Sequence, residues 1–467
     1  MIGRLLDKGF RKNEIIKMDL ISQNILFKIE KICSLNLNVP KTVYVPREDT
    51  YLLADAIIKI GIKVGNAMEI GCGSGALSLL MAHLGWRVIS CDINPNAVMA
   101  TKNNAKNNGL ESKVIVEHNG IGDRLKFGSN LNLIVWNLPY LNPLKADEEH
   151  LEFIEDAAYI DIDNGGWSEK LIKELKKSKI SDECVILLLF RVHPISPSSP
   201  LSWKMQGWSS RRINYLIIGD EKLEVHAFWK PGFNQQPLIL EECESTMDEA
   251  KLLSTKGWNR VVANKQLNGR GRRNSLWDSR SGDLTATWLI SKSMLKDIQI
   301  GLLQIEIGSI VANALAANLK WPNDIFSNDF KKIGGIILES SDVENHIRLG
   351  IGINKDSRDI RGIETSGWVE KFDKHNNMDI FALIDAALSS RFEVNCIKSD
   401  IKYLDYLENS WTSLSQFLSR GVSASIHNNK FQERVVKLNE NGSLDFVNYN
   451  KIINSDEIDD INWRYFV

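Results

Sequence analysis

Apolar positions recur at helical spacing through IIKMDLISQNILFKIEKI, so an N-terminal helical segment is predicted over residues 1–40. A capped helix is predicted over Glu48–Ile60. From there short apolar runs alternate with amphipathic stretches: a strand ending at Ile70, a helix over 75–84, a strand over 87–91, a helix over 95–108, and strands over 113–117 and 131–136. Alternation at this pitch implies a parallel sheet covered on both faces. A helix near 167–177 leads to a strand over 184–190, and a last hairpin turns at Gly219–Asp220. PGFNQQP, residues 231–237, is polar with a proline at each end and reads as a linker. A second alternating region, 238–417, contains a helix opening at Ser245, a Gly/Arg loop at 269–273, and strands near 284–290, 333–339 and 347–353. Residues 418–467 alternate in VSASIH and ERVVKL, and Asn441–Gly442 marks a hairpin turn, as in a separate small β-barrel or sandwich.

Composition narrows the class. At 467 residues the chain is long enough for two or three domains. Its 43% hydrophobic and 25% charged residues exclude wholesale disorder. The net charge is −2, divided as +2 over residues 1–230 and −4 over the remainder, so neither half has the basic excess of a dedicated duplex binder. The six cysteines form no CxxC pair, which argues against a structural zinc site or a disulfide framework and for a reducing cytosol. Lys8, Arg11, Lys12, Glu14 and Lys17 interrupt the N-terminus, so no signal peptide is read there. The densest apolar run, Val185 to Phe190, is too short for a membrane span. The expectation is a cytoplasmic, multidomain protein without a metal site or a membrane partner.

In the first half, MEIGCGSGALSLL sets Gly71, Gly73 and Gly75 between a strand and a helix, where the backbone can pass under a ligand and helix amides point toward it. Asp92 closes the next strand, where its carboxylate can accept both hydroxyls of a ribose. On these residues alone a nicotinamide dinucleotide site stays open, because Gly71, Gly73 and Ala76 also fit GxGxxG/A. Asn137-Leu138-Pro139-Tyr140, directly after the strand LNLIVW, decides between them. A side-chain amide and a main-chain carbonyl at a strand end can accept from an NH2 group, and Tyr140 offers a flat apolar face. That suits methylation of an amide or exocyclic amine; hydride transfer has no use for it. The plain alternative is a proline turn ending a strand.

These residues resemble a family. VYVPREDTYLLADAI (43–57), EIGCGSG (69–75), CDINPNAV (91–98) and NLPY (137–140) are similar to HemK-type methyltransferases, over roughly residues 40–230. The nearest branch modifies the glutamine of the GGQ motif in class I release factors. The resemblance implies a Rossmann-like class I domain over 41–230 that binds S-adenosylmethionine through Thr50, Glu69, Gly71, Gly73, Asp92, Asn119 and Asn137. Asn137 and Tyr140 would hold the target amide, and a small zinc-containing activator protein would be a partner. Leu138 stands where the family has proline, and Asn119 where an Asp is usual.

In the second half, STMDEAK (245–251) offers a capping box with Thr246 as cap and Glu249 three residues later. QLNGRGRRNSLW (266–277) interleaves Arg270, Arg272 and Arg273 with glycines, a loop able to close with guanidinium forks for phosphate or carboxylate. One short cluster on a net acidic half is a weak nucleic-acid signal. Lys332 opens the glycine-containing strand that follows KWPNDI, and a phosphate role fits it. EST (244–246), GRGRR (269–273), KWPND (320–324), KKIGGIILE (331–339) and GIGIN (350–354) together resemble biotin protein ligases across roughly 238–467. The resemblance implies an α+β catalytic domain with a C-terminal β-barrel. In the implied reaction the carboxylate of biotin attacks the α-phosphate of Mg-ATP. A lysine of a biotin carboxyl carrier protein then attacks the biotinyl-adenylate. Ser245, Thr246, Met247 and Gln266 would hold the biotin head. Arg270, Gly271, Arg272 and Lys332 would hold the acyl-phosphate, with Lys332 and Arg272 stabilising its charge. Met247 replaces the usual Asn, and Asn274-Ser275 the usual Gly-Arg. The methyltransferase-like half stands where a helix-turn-helix would, which argues against a repressor.

The expectation is therefore a two-enzyme fusion. Two other readings stay open: a nucleic-acid methyltransferase, since NLPY would also hold an adenine or guanine amine, and a ligase with an inactive binding module appended.

Overall fold

The computed structural model of the chain describes residues 22–123, 125–142, 159–272, 275–295, 298–340, 344–360, 362–393, 397, 403–426, 434–446, 449–453 and 461–465. It divides into two units, one up to Asn234 with the short stretch 396–399, the other made of the rest from Gln235 onward.

The first unit opens with a hairpin, β1 (Ser22–Ile29) and β2 (Cys33–Pro40), paired antiparallel. This corrects the helical segment predicted over 1–40; residues 1–21 of that prediction lie outside the described residues. Cys33, Leu35, Leu37 and Val39 alternate with Ser34, Asn36 and Asn38, and all four are buried. That is the period of a strand, not of a helix. The amides of Asn36 and Asn38 donate to Asn108 and Asn104, which ties the hairpin to α3 (Pro95–Asn107) and its C-terminal cap.

Then α1 (Glu48–Lys59), β3 (Asn66–Ile70), α2 (Ala76–His83), β4 (Arg87–Asp92), α3, β5 (Val114–His118), β6 (Leu133–Asn137), α4 (Gly166–Lys177), β7 (Val185–His193), α5 (Pro200–Lys204), β8 (Ser209–Ile218) and β9 (Glu221–Trp229) follow. The sheet order is β5-β4-β3-β6-β7-β9-β8; β5 to β7 are parallel, and β9 runs antiparallel between β7 and β8. The chain leaves β3 toward β4 and returns to β6 on its other side. Such a reversal opens a crevice at the carboxyl ends of the strands, and Ile70, Asp92 and Asn137 end β3, β4 and β6 at that edge. Gly75 caps α2 with φ +84°, and Asn94 caps α3 by accepting from the Asn96 amide ahead of Pro95.

The second unit is built on a mixed sheet. β10 (Leu238–Cys243) pairs parallel with β11 (Arg260–Gln266). The order then runs antiparallel through β14 (Leu284–Ser291), β18 (His346–Ile353), β17 (Lys332–Ser340), β16 (Asp324–Phe326) and β15 (Asn318–Lys320). Between them lie α6 (Thr246–Glu249), the short pair β12 (Gly269–Arg270) and β13 (Leu276–Trp277), and α7 (Ile300–Ala314). β19 (Arg358–Ile360) and β20 (Ile363–Thr365) flank the sheet before α8 (Asn377–Phe392) and α9 (Tyr403–Leu418).

Beyond residue 418 the described strands form two antiparallel sheets. One pairs β21 (Val422–Ile426) with β25 (Ile461–Tyr465), and the other holds β22 (Val435–Leu438), β23 (Leu444–Phe446) and β24 (Tyr449–Ile453). Among the described residues these strands share one buried cluster with the main sheet, in which Ala424, Leu438, Leu444, Phe446 and Ile461 join Leu302, Trp321 and Ile325. The Trp321 indole N–H donates to the Gly442 carbonyl at 2.9 Å, inside the β22–β23 turn. No described helix is long and apolar enough to cross a membrane.

Candidate functional sites

In the first unit, the loops after β3, β4 and β6 and the start of α1 enclose a cavity. It is lined by all the residues singled out there: Thr50, Glu69, Gly71, Gly73, Asp92, Asn119, Asn137 and Tyr140. Gly71 has φ +66°, and a Cβ on it would lie 3.2 Å from the Trp136 indole nitrogen, so only glycine suits that turn. The Asp92 carboxylate accepts from the backbone amides of Gly73 (2.9 Å) and Asn94 (2.8 Å), which fixes the glycine loop and aims the carboxylate into the cavity. Burial raises the pKa of Asp92 and pushes the adjacent Cys91 thiol up to about 12. The Asn119 side-chain oxygen accepts from the Gly120 amide at 2.9 Å. Asn137 donates from Nδ2 to Asp49 Oδ2 at 2.8 Å, while its own Oδ1 is buried with no hydrogen-bond partner among the described residues. A buried acceptor left open at a cavity wall fits a ligand that brings an N–H.

In the second unit, Ser245, Thr246, Met247, Gln266, Arg270, Gly271, Arg272 and Lys332 line one cavity together with Trp277, Asn323 and Asp324. The predicted capping box does not form, and this is a correction. Ser245 is the N-cap residue, with no side-chain cap bond, and Thr246 is already inside α6. The Thr246 amide and hydroxyl instead both donate to Gln266 Oε1, at 2.7 and 2.9 Å, which makes Thr246 part of the cavity wall. Ser245 Oγ is buried with no partner among the described residues. Gly352 has to be small, because a Cβ there would come within 2.5 Å of the Trp277 ring, and a Cβ on Gly350 would press on Met247 and Ile337. The cations are held by carboxylates and an amide. Arg270 Nη2 lies 2.8 Å from Asp248, Lys332 Nζ lies 2.6 Å from Asp324, and Arg272 donates to Asn323 Oδ1 at 3.2 Å. Gly271 N donates to the Ser275 carbonyl, and the Ser275 hydroxyl donates back to the Arg272 carbonyl, closing the Gly/Arg loop. Arg273 and Asn274 lie outside the described residues.

Two known families match stretches of this chain. The methyltransferase small domain matches residues 48–169, and the biotin/lipoate A/B protein ligase family matches residues 241–356. Two family models thus match separate stretches of one chain. Over part of this chain, the bifunctional ligase/repressor BirA of Bacillus subtilis is 34% identical over 125 residues, which is 25% of this chain and 38% of that protein. The biotin–protein ligase of Homo sapiens is 31% identical over 202 residues, 39% of this chain and 26% of that one. Against the methyltransferase domain, the release factor glutamine methyltransferase of Clostridium acetobutylicum is 30% identical over 113 residues, 23% of this chain and 39% of that protein. The chain thus spans well under half the length of each of these relatives.

Asp49, Tyr44, Asn323 and Asp324 belong to these sites but were not singled out from the sequence. Asp49 and Tyr44 lie within the quoted VYVPREDTYLLADAI, but an acid in the first turn of a helix reads as a dipole partner. Asn323 and Asp324 lie within KWPND, where only the following lysine drew attention. Their role as holders of Arg272 and Lys332 requires β16 and β17 to be paired.

Beneath the glycine loop of the methyltransferase domain, Glu69 is 3% exposed, with the Ser78 hydroxyl bonded to its carboxyl. Burial pushes its pKa up to about 8 from an ordinary 4.5. The folded state therefore holds this proton more tightly than the unfolded chain. The stability it contributes is full below the ordinary value and is lost as pH rises through about 8. The urea midpoint of the methyltransferase domain is expected to fall from about pH 6 to about pH 9, and Glu69→Gln should flatten that slope. An unchanged slope in the variant would mean that Glu69 is ionised in the fold.

Proposed function

We propose that the chain is a bifunctional cytoplasmic enzyme. Its methyltransferase domain, over 41–230, moves a methyl group from S-adenosylmethionine to a side-chain amide, the GGQ glutamine of a class I release factor. Its ligase portion, from 238 to 467, forms biotinyl-adenylate from biotin and Mg-ATP and biotinylates a lysine of a biotin carboxyl carrier protein. The described strands beyond 418 are read as one small barrel belonging to the ligase. A small zinc-containing activator is the further partner that the resemblance implies.

The observation that carries the first activity is the buried, unpartnered Asn137 Oδ1. The lone pair of an amide nitrogen is delocalised, so the nitrogen has to be positioned before it can accept a methyl group. Asn137 Oδ1 would accept from that NH2, and Tyr140 would cover its plane. S-adenosylmethionine supplies the electrophilic methyl. Gly71, Gly73, Thr50 and Asn119 would cradle it, and Asp92 would accept from its ribose. The relative named for release factor glutamine supports this acceptor. For the second activity, the unpartnered Ser245 Oγ and the Thr246–Gln266 pair offer polar contacts to the biotin head. Arg270, Arg272 and Lys332 gather positive charge where the acyl-phosphate would form. The human relative named biotin–protein ligase supports this assignment.

The test is transfer of isotopically labelled methyl to a purified release factor, and of biotin to a purified carrier protein, by the full chain. A methyl group located on the GGQ glutamine supports the reading, and a release factor left unlabelled overturns the acceptor. Asp92→Ala is expected to weaken methyl-donor binding by at least about a hundredfold, since two charge-assisted hydrogen bonds of ~1.5–3 kcal/mol each are lost. It also frees the Gly73 and Asn94 amides, so the loop loosens with it. Carrier biotinylation by the same preparation should not change. Calorimetry with unchanged donor affinity would take Asp92 out of the site.

A further inference from the structure

We infer that Asp49 is the positioning residue that sets the polarity of the acceptor subsite, by holding the Asn137 amide with its oxygen turned to the cavity. The inference rests on the amide-methyltransferase reading above and adds to it the device that makes the site choose an N–H donor.

Asp49 is 3% exposed in the first turn of α1, and it lines the same cavity as Asn137. Its acceptor positions are taken up by the protein. Oδ1 accepts from the Thr50 amide (2.6 Å) and the Thr50 hydroxyl (3.2 Å), and Oδ2 accepts from the Tyr44 hydroxyl (2.7 Å) and Asn137 Nδ2 (2.8 Å). With four donors satisfied it has little capacity left for a ligand, so it acts through Asn137 rather than on the acceptor. An asparagine amide presents one donor side and one acceptor side of nearly equal shape, and only its partners decide which faces where. A carboxylate can only accept. It therefore draws in the NH2 of Asn137 and leaves Oδ1 facing the cavity, where that atom is buried and unpartnered. Were the amide reversed, two acceptors would meet at Asp49 and the cavity would be offered a donor, the wrong polarity for an NH2 group. Tyr44 adds a second constraint: its proton goes to the same Oδ2, and its ring stands edge-on to Tyr159 at 5.3 Å.

Asp49→Asn is the variant that tests this, because it keeps the shape while allowing the new amide to offer NH2 to Asn137 Oδ1. Methyl transfer to the release factor by the full chain should fall about a hundredfold in kcat, the scale of a geometry-critical group, while the donor Kd stays within about twofold. The exchanged pair Asp49→Asn with Asn137→Asp restores the pattern of one donor facing one carboxylate, with a carboxylate oxygen toward the cavity. It should recover at least about tenfold over Asp49→Asn alone. A merely structural role for Asp49 predicts no such recovery, and a double variant no better than the single one overturns the inference. A second readout does not depend on the acceptor. In selectively 15N-asparagine-labelled protein, the Asn137 side-chain NH2 should be protected from exchange with water in the wild type and exposed in Asp49→Asn. Lost protection in a protein that fails to methylate the release factor would uphold Asp49 and reject the acceptor. Unchanged protection in the variant would reject the role of Asp49, whatever the acceptor.

Discussion

Asn137→Ala is expected to cut methyl transfer by about a hundredfold or more while leaving methyl-donor affinity nearly unchanged. The side chain sits at the end of β6, beyond the part of the cavity formed by the glycine loop and Asp92. Among the described residues its side-chain partner in the site is Asp49, which keeps Tyr44 and Thr50 after the substitution, so the donor side of the cavity should hold its shape. What disappears is the buried Oδ1 acceptor, which no described protein group satisfies. An acceptor nitrogen without that anchor can rotate away from the line of attack, and the loss falls on turnover. Single-turnover kinetics with labelled donor, paired with calorimetry, separates the two quantities. A larger loss in donor affinity than in turnover would move Asn137 out of the acceptor subsite.

Lys332→Ala should be comparably severe for the ligase. A preorganised cation aimed at charge developing on a phosphate contributes about 2.7–4 kcal/mol in the transition state, which corresponds to about 10²- to 10³-fold in rate. The substitution has a second cost here, because Lys332 Nζ lies 2.6 Å from Asp324. Removing it takes the direct ion pair from a carboxylate beside the position where another anion must bind. Biotin-dependent pyrophosphate exchange isolates adenylate formation and should be nearly lost. Normal exchange with failed carrier labelling would move Lys332 to the second step.

Much of this was readable along the chain where a feature depends on neighbours in sequence. β3, α2, β4 and α3 follow one another with short turns, and their apolar runs are short enough to bound each element. Gly71, Gly73, Asp92 and Asn137 are legible for the same reason, since a strand end places each at the crevice irrespective of what lies far away. The hairpin β1–β2 was not legible as such. Its alternation is carried by only four apolar residues beside a longer stretch with helical spacing, and its polar face is satisfied by asparagines of α3 some seventy positions on. Asp49 fails for a similar cause. It meets Asn137 across 88 positions, and nothing near it in sequence marks it as more than a helix-initiating acid. Thr246 shows the opposite error, in which a local capping rule held a claim on a hydroxyl that the fold gives to Gln266, 20 positions later.

The bond from Trp321 to the turn at Gly442 also has a genetic consequence. Every described residue lining the cavity of the second unit is encoded before codon 418, so a nonsense mutation after it would spare them all. It would also strip the cover from Trp321 and Leu302, both wholly buried, and unmoor the segment that carries Asp324 toward Lys332. Such an allele should behave as a ligase null despite an intact set of cavity codons, while the upstream methyltransferase reading frame is untouched.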